Sequence, residues 1–150
     1  ILFIKEIPIK INNKIKLYPI PAAHPNIQVN VEGGWDCIGY VIEFENKRLY
    51  HAGDTSIHEE LIAKLKQIGK IDIGFIPVNE HNYYRDRRGI IGNMSVRDAF
   101  MFAEEIGVDI FIPTHWDMFA ANQVYQEEIE LLYDKLKPSF QLLFNPTTLC

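Results

Sequence analysis

Three segments of this 150-residue sequence place a potential ligand directly after an apolar run. His24 follows Ile20-Pro21-Ala22-Ala23, Asp54 follows Leu49-Tyr50-His51-Ala52-Gly53, and His115 follows Phe111-Ile112-Pro113-Thr114. Two imidazoles and a carboxylate make a donor set suited to a divalent ion of borderline hardness. Gly53 would let the backbone turn tightly enough to aim Asp54. Taken singly, each histidine is more often a hydrogen-bonded loop residue than a ligand, so convergence of the three is what would make a site. His51 shares a strand with Asp54, and regular alternation would turn it to the other side, in a structural role. His58 opens an amphipathic helix and reads as solvated.

A second group could meet a substrate. Residues 82–89 read Asn-Tyr-Tyr-Arg-Asp-Arg-Arg-Gly, a locally basic stretch in an otherwise acidic chain. The guanidinium forks of Arg85, Arg87 and Arg88 suit bidentate binding of phosphate, and the hydroxyls of Tyr83 and Tyr84 suit those of a sugar. His81 sits where a strand ends and could line the same pocket. A phosphorylated sugar acid or lactone would fit these groups. The same residues also describe a solvated loop in which Asp86 pairs with an arginine.

Such residues can meet only if the elements beneath them bring them to one place. Segments 1–9 and 14–20 read as a hairpin around Asn12-Asn13, and 37–44 with 47–51 as another around Glu45-Asn46. Leu61, Ile62, Leu65 and Ile68 recur at helical spacing before Gly69. An apolar strand over 71–78 and a long polar loop over 79–93 follow. Ser95 and Asp98 resemble a capping box opening a helix with Val96, Ala99, Phe100, Ala103 and Ile106 on one face. A strand over 109–113, a helix over 123–136 and a strand over 141–144 complete the chain. Strand-rich first and alternating afterwards, this order predicts an α/β (α+β) domain whose sheet is covered by helices on one face, the other face needing a partner layer. Strand ends of such a sheet gather distant residues at one edge.

The segments Pro21-Ala22-Ala23-His24, Leu49 to Thr55 and Ile112-Pro113-Thr114-His115-Trp116-Asp117 resemble the third, fourth and fifth motifs of the metallo-β-lactamase superfamily. The resemblance is nearest to the L-ascorbate-6-phosphate lactonase branch, through Ile71-Asp72, Gly89-Ile90 and Met94-Ser95, which stand in the same order between those motifs. It runs from about residue 14 to residue 144. The branch is Asp-rich near the position of His24, so there this chain departs from it. A larger departure is the absence of the His-x-His-x-Asp-His motif of the first sheet layer. The resemblance therefore implies that residues 1–150 form the C-terminal portion of an αββα sandwich, which agrees with a start at Ile1, without Met and already in a strand-like segment.

What the resemblance implies chemically is metal-assisted hydrolysis with one or two divalent ions, zinc or manganese. Such ions would lower the pKa of bound water from about 15.7 toward ~7 and polarise a scissile carbonyl. Asp54 would bridge the ions, His24 would bind one and His115 the other, with Asp54 and His115 at the catalytic centre. Asp117 could orient a ligand, or cap a helix. The substrate would be a lactone or similar ester of a phosphorylated sugar acid. The alternatives are a phosphodiester or thioester hydrolase of the same fold, or a non-catalytic half-domain acting as a scaffold. The missing N-terminal half of the domain is the implied partner, and self-association into a homo-oligomer stays open.

Composition limits the other classes. Hydrophobic residues make up 47% and charged residues 23%, as in an ordinary soluble domain. A net charge of −5 argues against a nucleic-acid partner. No apolar run approaches the ~20 residues of a membrane span, so no membrane partner is expected. Cys37 and Cys150 cannot make a disulfide framework, and neither lies in a Cys-x-x-Cys pair, which predicts a reducing, cytoplasmic setting.

Overall fold

The computed structural model describes residues 8–31 and 33–145. Most of the expected first strand, over 1–9, and Cys150 lie outside the described residues. Among the described residues, seven strands form a single sheet in chain order: β1 (Ile9–Lys10), β2 (Ile15–Pro21), β3 (Ile38–Phe44), β4 (Lys47–His51), β5 (Ile71–Pro77), β6 (Val108–Thr114) and β7 (Gln141–Leu142). The first four are antiparallel, and β4 to β7 are parallel. Parallel neighbours need crossovers, supplied by α1 (Glu59–Ile68), α3 (Val96–Glu105) and α4 (Gln126–Leu136). Crossovers are right-handed, and the strand order advances in one direction, so all three helices fall on the same face.

Strand register makes the two faces chemically different. Val41, Tyr50, Gly74 and Phe111 are aligned across the sheet, and all four are buried. Tyr50 meets Phe102 of α3 edge-on at 6.4 Å. Phe100 of α3 packs edge-on against Phe111 at 5.2 Å, Phe140 at 5.3 Å and Tyr133 of α4 at 6.2 Å. One residue away in register, Leu17, Ile42, Leu49, Ile73 and Ile110 form a row on the opposite face. These side chains are only half-buried, and together with Phe44 four of them line an open apolar groove. The helices therefore cover one face, as expected.

Local chemistry explains most element ends. Ser95 Oγ accepts from the Asp98 amide and donates to the Asp98 carboxylate, completing the capping box of α3. His58 caps α1 by accepting the Leu61 amide on Nδ1, so it is not simply solvated. Two ends differ from expectation. A one-turn helix, α2 (Tyr83–Asp86), forms within the expected loop because Asn82 accepts the Arg85 amide and caps it. Helix α4 begins at Gln126 rather than 123, because the Gln123 carbonyl and Val124 amide are engaged by Arg85 and Trp116.

Phe100→Ala should destabilise the chain by about 3–5 kcal/mol, since it opens a cavity among three aromatic rings. The exposed Leu131 on α4 gives the control: Leu131→Ala should cost less than about 0.5 kcal/mol in the same urea titration. His58 supplies a pH test. Burial holds its pKa below the ordinary 6.5, so the unfolded chain takes up this proton before the folded one does. Stability should thus be flat above that ordinary value and fall as the pH drops from it through the lower folded value. Asn at position 58 keeps the cap without the titration, so unfolding midpoints of His58→Asn should fall less steeply over that range.

Candidate functional site

The C-terminal ends of β4, β5 and β6 stay zipped together to their last residues. The Ala52 amide donates to Phe75 O, and the Val78 amide to Thr114 O. Beyond these bonds the backbone turns sharply twice. Gly53 has φ +65°, and His115 has φ +61°, a left-handed conformation that a non-glycine residue adopts at a cost of order 1–3 kcal/mol. The two turns face each other. His115 Nδ1 lies 3.2 Å from Asp54 Oδ1, with the imidazole largely buried and half of the carboxylate side chain exposed.

That contact is not a hydrogen bond, and His115 Nδ1 makes none among the described residues. His24 Nδ1 is likewise buried without a partner. The loop bearing His24 is stitched to the one bearing Asp54: Thr55 Oγ1 accepts the Ala23 amide at 3.0 Å, and the Ser56 amide donates to Ala23 O at 2.8 Å. Ser56 Oγ adds bonds to the carbonyls of Ala23 and Pro25. Yet no group of three His, Cys, Asp or Glu stands ready to hold an ion among the described residues. The structure joins Asp54 to His115 and brings the backbone beside His24 alongside, but does not bring the His24 imidazole into a three-ligand cluster with them.

A divalent ion fits the pair by its chemistry. A carboxylate and an imidazole are in contact, and the imidazole nitrogen is desolvated with no hydrogen bond to compensate. Buried polar atoms are rarely left so, and the exceptions concentrate at functional sites. Behind the pair stand two carboxamides that the residue spacing did not suggest. Asn93 Nδ2 donates to Asp54 Oδ1 at 2.8 Å and to Asn79 Oδ1 at 2.7 Å. The only signal available in the sequence is the position of Asn79 directly after an apolar strand.

His51 makes structural contacts, although strand alternation is not what sets its facing relative to Asp54. The strand ends at His51 and Gly53 reverses the chain, so alternation does not govern their relative facing. The ring stacks on Phe75 at 5.7 Å and accepts the Gly53 amide on Nδ1. Burial, and secondarily the proximity of His115, lower its pKa. His51 therefore stands within electrostatic reach of the site.

The expected substrate-binding residues separate into two kinds. Arg85 is turned inward: Nη1 donates to Glu80 O at 2.7 Å and Nη2 to Gln123 O at 2.9 Å, tying the α2 loop to the segment after His115. With both ends of its fork on backbone carbonyls, Arg85 is a clamp rather than a phosphate ligand. His81 is likewise engaged, with Nε2 at 2.6 Å from Asp86, so Asp86 pairs with a histidine and not with an arginine. Tyr83 and Tyr84 are exposed and pack edge-on against each other at 5.5 Å. Arg87 stacks over the Tyr83 ring and donates to its hydroxyl. Arg88 is exposed, with its guanidinium outside every hydrogen bond and ion pair found among the described residues. Asp117 is exposed and forms no hydrogen bond to His115.

The described residues thus form a single sheet, covered by helices on one face, with a carboxylate–imidazole pair at its strand ends. Residues 5–116 match the family model described as the Beta-lactamase superfamily domain, and the chain belongs to that family. A UPF0173 metal-dependent hydrolase of Alkaliphilus metalliredigens is 31% identical over 119 residues, covering 73% of this chain and 47% of that protein. A Salmonella paratyphi B protein named "Probable L-ascorbate-6-phosphate lactonase UlaG" is 28% identical over 109 residues, covering 73% of this chain and 29% of that one. The solved structure of Igni18, a metallo hydrolase from Ignicoccus hospitalis, shares the fold with a TM-score of 0.69 at 17% identity, over 92% of this chain and 54% of that one. The chain thus spans about half the length of the metal-dependent hydrolases it matches. No helix among the described residues is long and apolar enough to cross a membrane.

Thr55→Val keeps the shape of a fully buried side chain but leaves the Ala23 amide without its acceptor. It should cost about 1–3 kcal/mol of stability in denaturant titration, most of it the penalty of that unpaired amide.

Proposed function

We propose that this chain supplies the Asp54–His115 half of a metal-dependent hydrolase centre, completed by an N-terminal half that packs on the open sheet face. The observation that carries this reading is the desolvated His115 nitrogen held against Asp54 with no hydrogen bond to satisfy it. The half-buried row Leu17, Ile42, Leu49, Ile73 and Ile110 is the surface such a half would cover. Asp54 and His115 would hold the ion, and His24, on the adjoining loop, could join them by a rotation of its ring. When bound, a divalent ion supplies a water nucleophile activated near neutral pH and Lewis-acid polarisation of the scissile carbonyl. The chain's own contribution is to hold the two ligands at fixed strand ends, to keep the imidazole dehydrated, and to present the exposed pair Arg87 and Arg88 beside Tyr83 and Tyr84.

For substrate, we favour a lactone or similar ester of a phosphorylated sugar acid, a reading supported by the 28% identity to the lactonase-named relative and by the exposed Arg87 and Arg88 that follow α2. The metal would be zinc or manganese and the setting the cytoplasm. A phosphodiester or thioester hydrolase is the second reading; it keeps the metal pair and dispenses with the arginines.

One set of measurements tests both levels. The chain alone, and the chain fused to an N-terminal half bearing His-x-His-x-Asp-His, are titrated calorimetrically with zinc and manganese. The fusion is then assayed on phosphorylated lactones, phosphodiesters and thioesters. Affinity should be much higher in the fusion, and His115→Ala or Asp54→Ala should lower it by at least about tenfold. Equal affinities in the two forms would overturn the shared-site reading and leave a scaffold. Arg87→Ala or Arg88→Ala should weaken binding of phosphorylated ligands alone by about 1.5–3 kcal/mol. Loss of neither would remove the sugar-phosphate reading.

A further inference from the structure

We infer that Asn93 is a positioning residue that sets the orientation of the Asp54 carboxylate. This rests on the metal reading above for its purpose but not for its geometry. Asn93 is only 3% exposed, and its carboxamide nitrogen faces two oxygens, Asp54 Oδ1 at 2.8 Å and Asn79 Oδ1 at 2.7 Å. An ionised carboxylate can only accept, so the group facing it must be the NH2, and both of its hydrogens are committed. One bond fixes Asp54, and the other fixes Asn93 itself.

Placing that carboxamide takes an unusually close backbone approach. The Asn93 amide donates to Asn79 O, and residues 80 and 93 pair as an isolated parallel bridge. At the neighbouring Gly92, an added Cβ would lie 2.1 Å from Glu80 O and 2.6 Å from His81 N. Only glycine lets the 92–93 segment lie this close to the end of β5, and only from there does Asn93 reach Asp54.

The cost is visible on the same side chain. Asn93 Oδ1 is buried with no hydrogen-bond partner, a loss that an apolar residue of the same size would avoid. Keeping a half-satisfied carboxamide in a buried position makes sense if its donor side has work to do. That work is to hold Oδ1 of Asp54 beside His115 and so restrict the carboxylate to one rotamer. Hydrogen-bonded groups behind metal ligands typically act this way.

The test compares wild type with Asn93→Leu, Asn79→Ala and Asn122→Leu. Asn122 is another buried carboxamide, with no hydrogen bond to Asp54, and controls for burial alone. Co2+ is titrated into the fusion with the N-terminal half described above, carrying each variant in turn, and followed by its visible absorption. Asn93→Leu should weaken Co2+ binding about 10- to 100-fold and alter the band shape, with Asn79→Ala changing it in the same direction. Asn122→Leu should stay within about twofold of wild type. In parallel, a double-mutant cycle of Asn93→Leu with Asp54→Ala is measured by urea unfolding in EDTA. It should be non-additive by about tenfold in the unfolding constant. If Asn93→Leu fails to fold, the cycle of Asn79→Ala with Asp54→Ala takes its place. Co2+ binding unaffected by Asn93→Leu, or an additive cycle, overturns the role. Absence of Co2+ binding in wild type overturns the metal reading instead, and the cycle in EDTA alone then decides Asn93.

Discussion

Packing of α3 against β5 and β6 commits every strand to a facing, because side chains alternate with period two and a slip of one residue would invert them all. Phe100 meets Phe111 and Phe140, and Phe102 meets Tyr50, so the row Val41, Tyr50, Gly74 and Phe111 is held beneath the helices. The neighbouring row, from Leu17 to Ile110, is thereby turned outward. The same register sets where β4 and β6 end, and therefore that Asp54 and His115 leave the sheet close together. Core and site are two consequences of one alignment.

Beyond the strand ends, control passes from the sheet to polar bonds. Thr55 and Ser56 hold the His24 loop, Asn93 and Asn79 hold Asp54, and Arg85 ties the α2 loop to the segment after His115. Each is a buried or half-buried polar group whose partner lies more than ten residues away. Such bonds contribute only about 1 kcal/mol each on net, but leaving one unmade costs more, so they specify geometry more strongly than they add stability. A site built this way tolerates little rearrangement.

The arginines of residues 85–88 divide by the same rule. Arg85 donates to two backbone carbonyls and becomes part of the scaffold. Arg87 remains at the surface on the Tyr83 ring, and Arg88 is exposed beside it. A single basic run thus yields one structural cation and two exposed ones.

Much of this was legible in the chain itself. Alternation and apolar runs mark the strands, Ser95 with Asp98 marks the start of α3, and Gly69 marks the end of α1, because these signals depend on near neighbours. His24, Asp54 and His115 could be chosen as chemistry-bearing residues because each follows an apolar segment at once. Tertiary structure alone decided the rest. Nothing in residue spacing distinguishes Arg85 from Arg88, since the difference lies in carbonyls at positions 80 and 123. Nothing marks Asn93 as a partner of Asp54, thirty-nine residues away. The loop bearing His24 is held beside that of Asp54 by Thr55 rather than by its own motif. Periodicity reports on contacts a few residues apart, whereas the orientation of a carboxylate is set by whichever donor the fold lays against it.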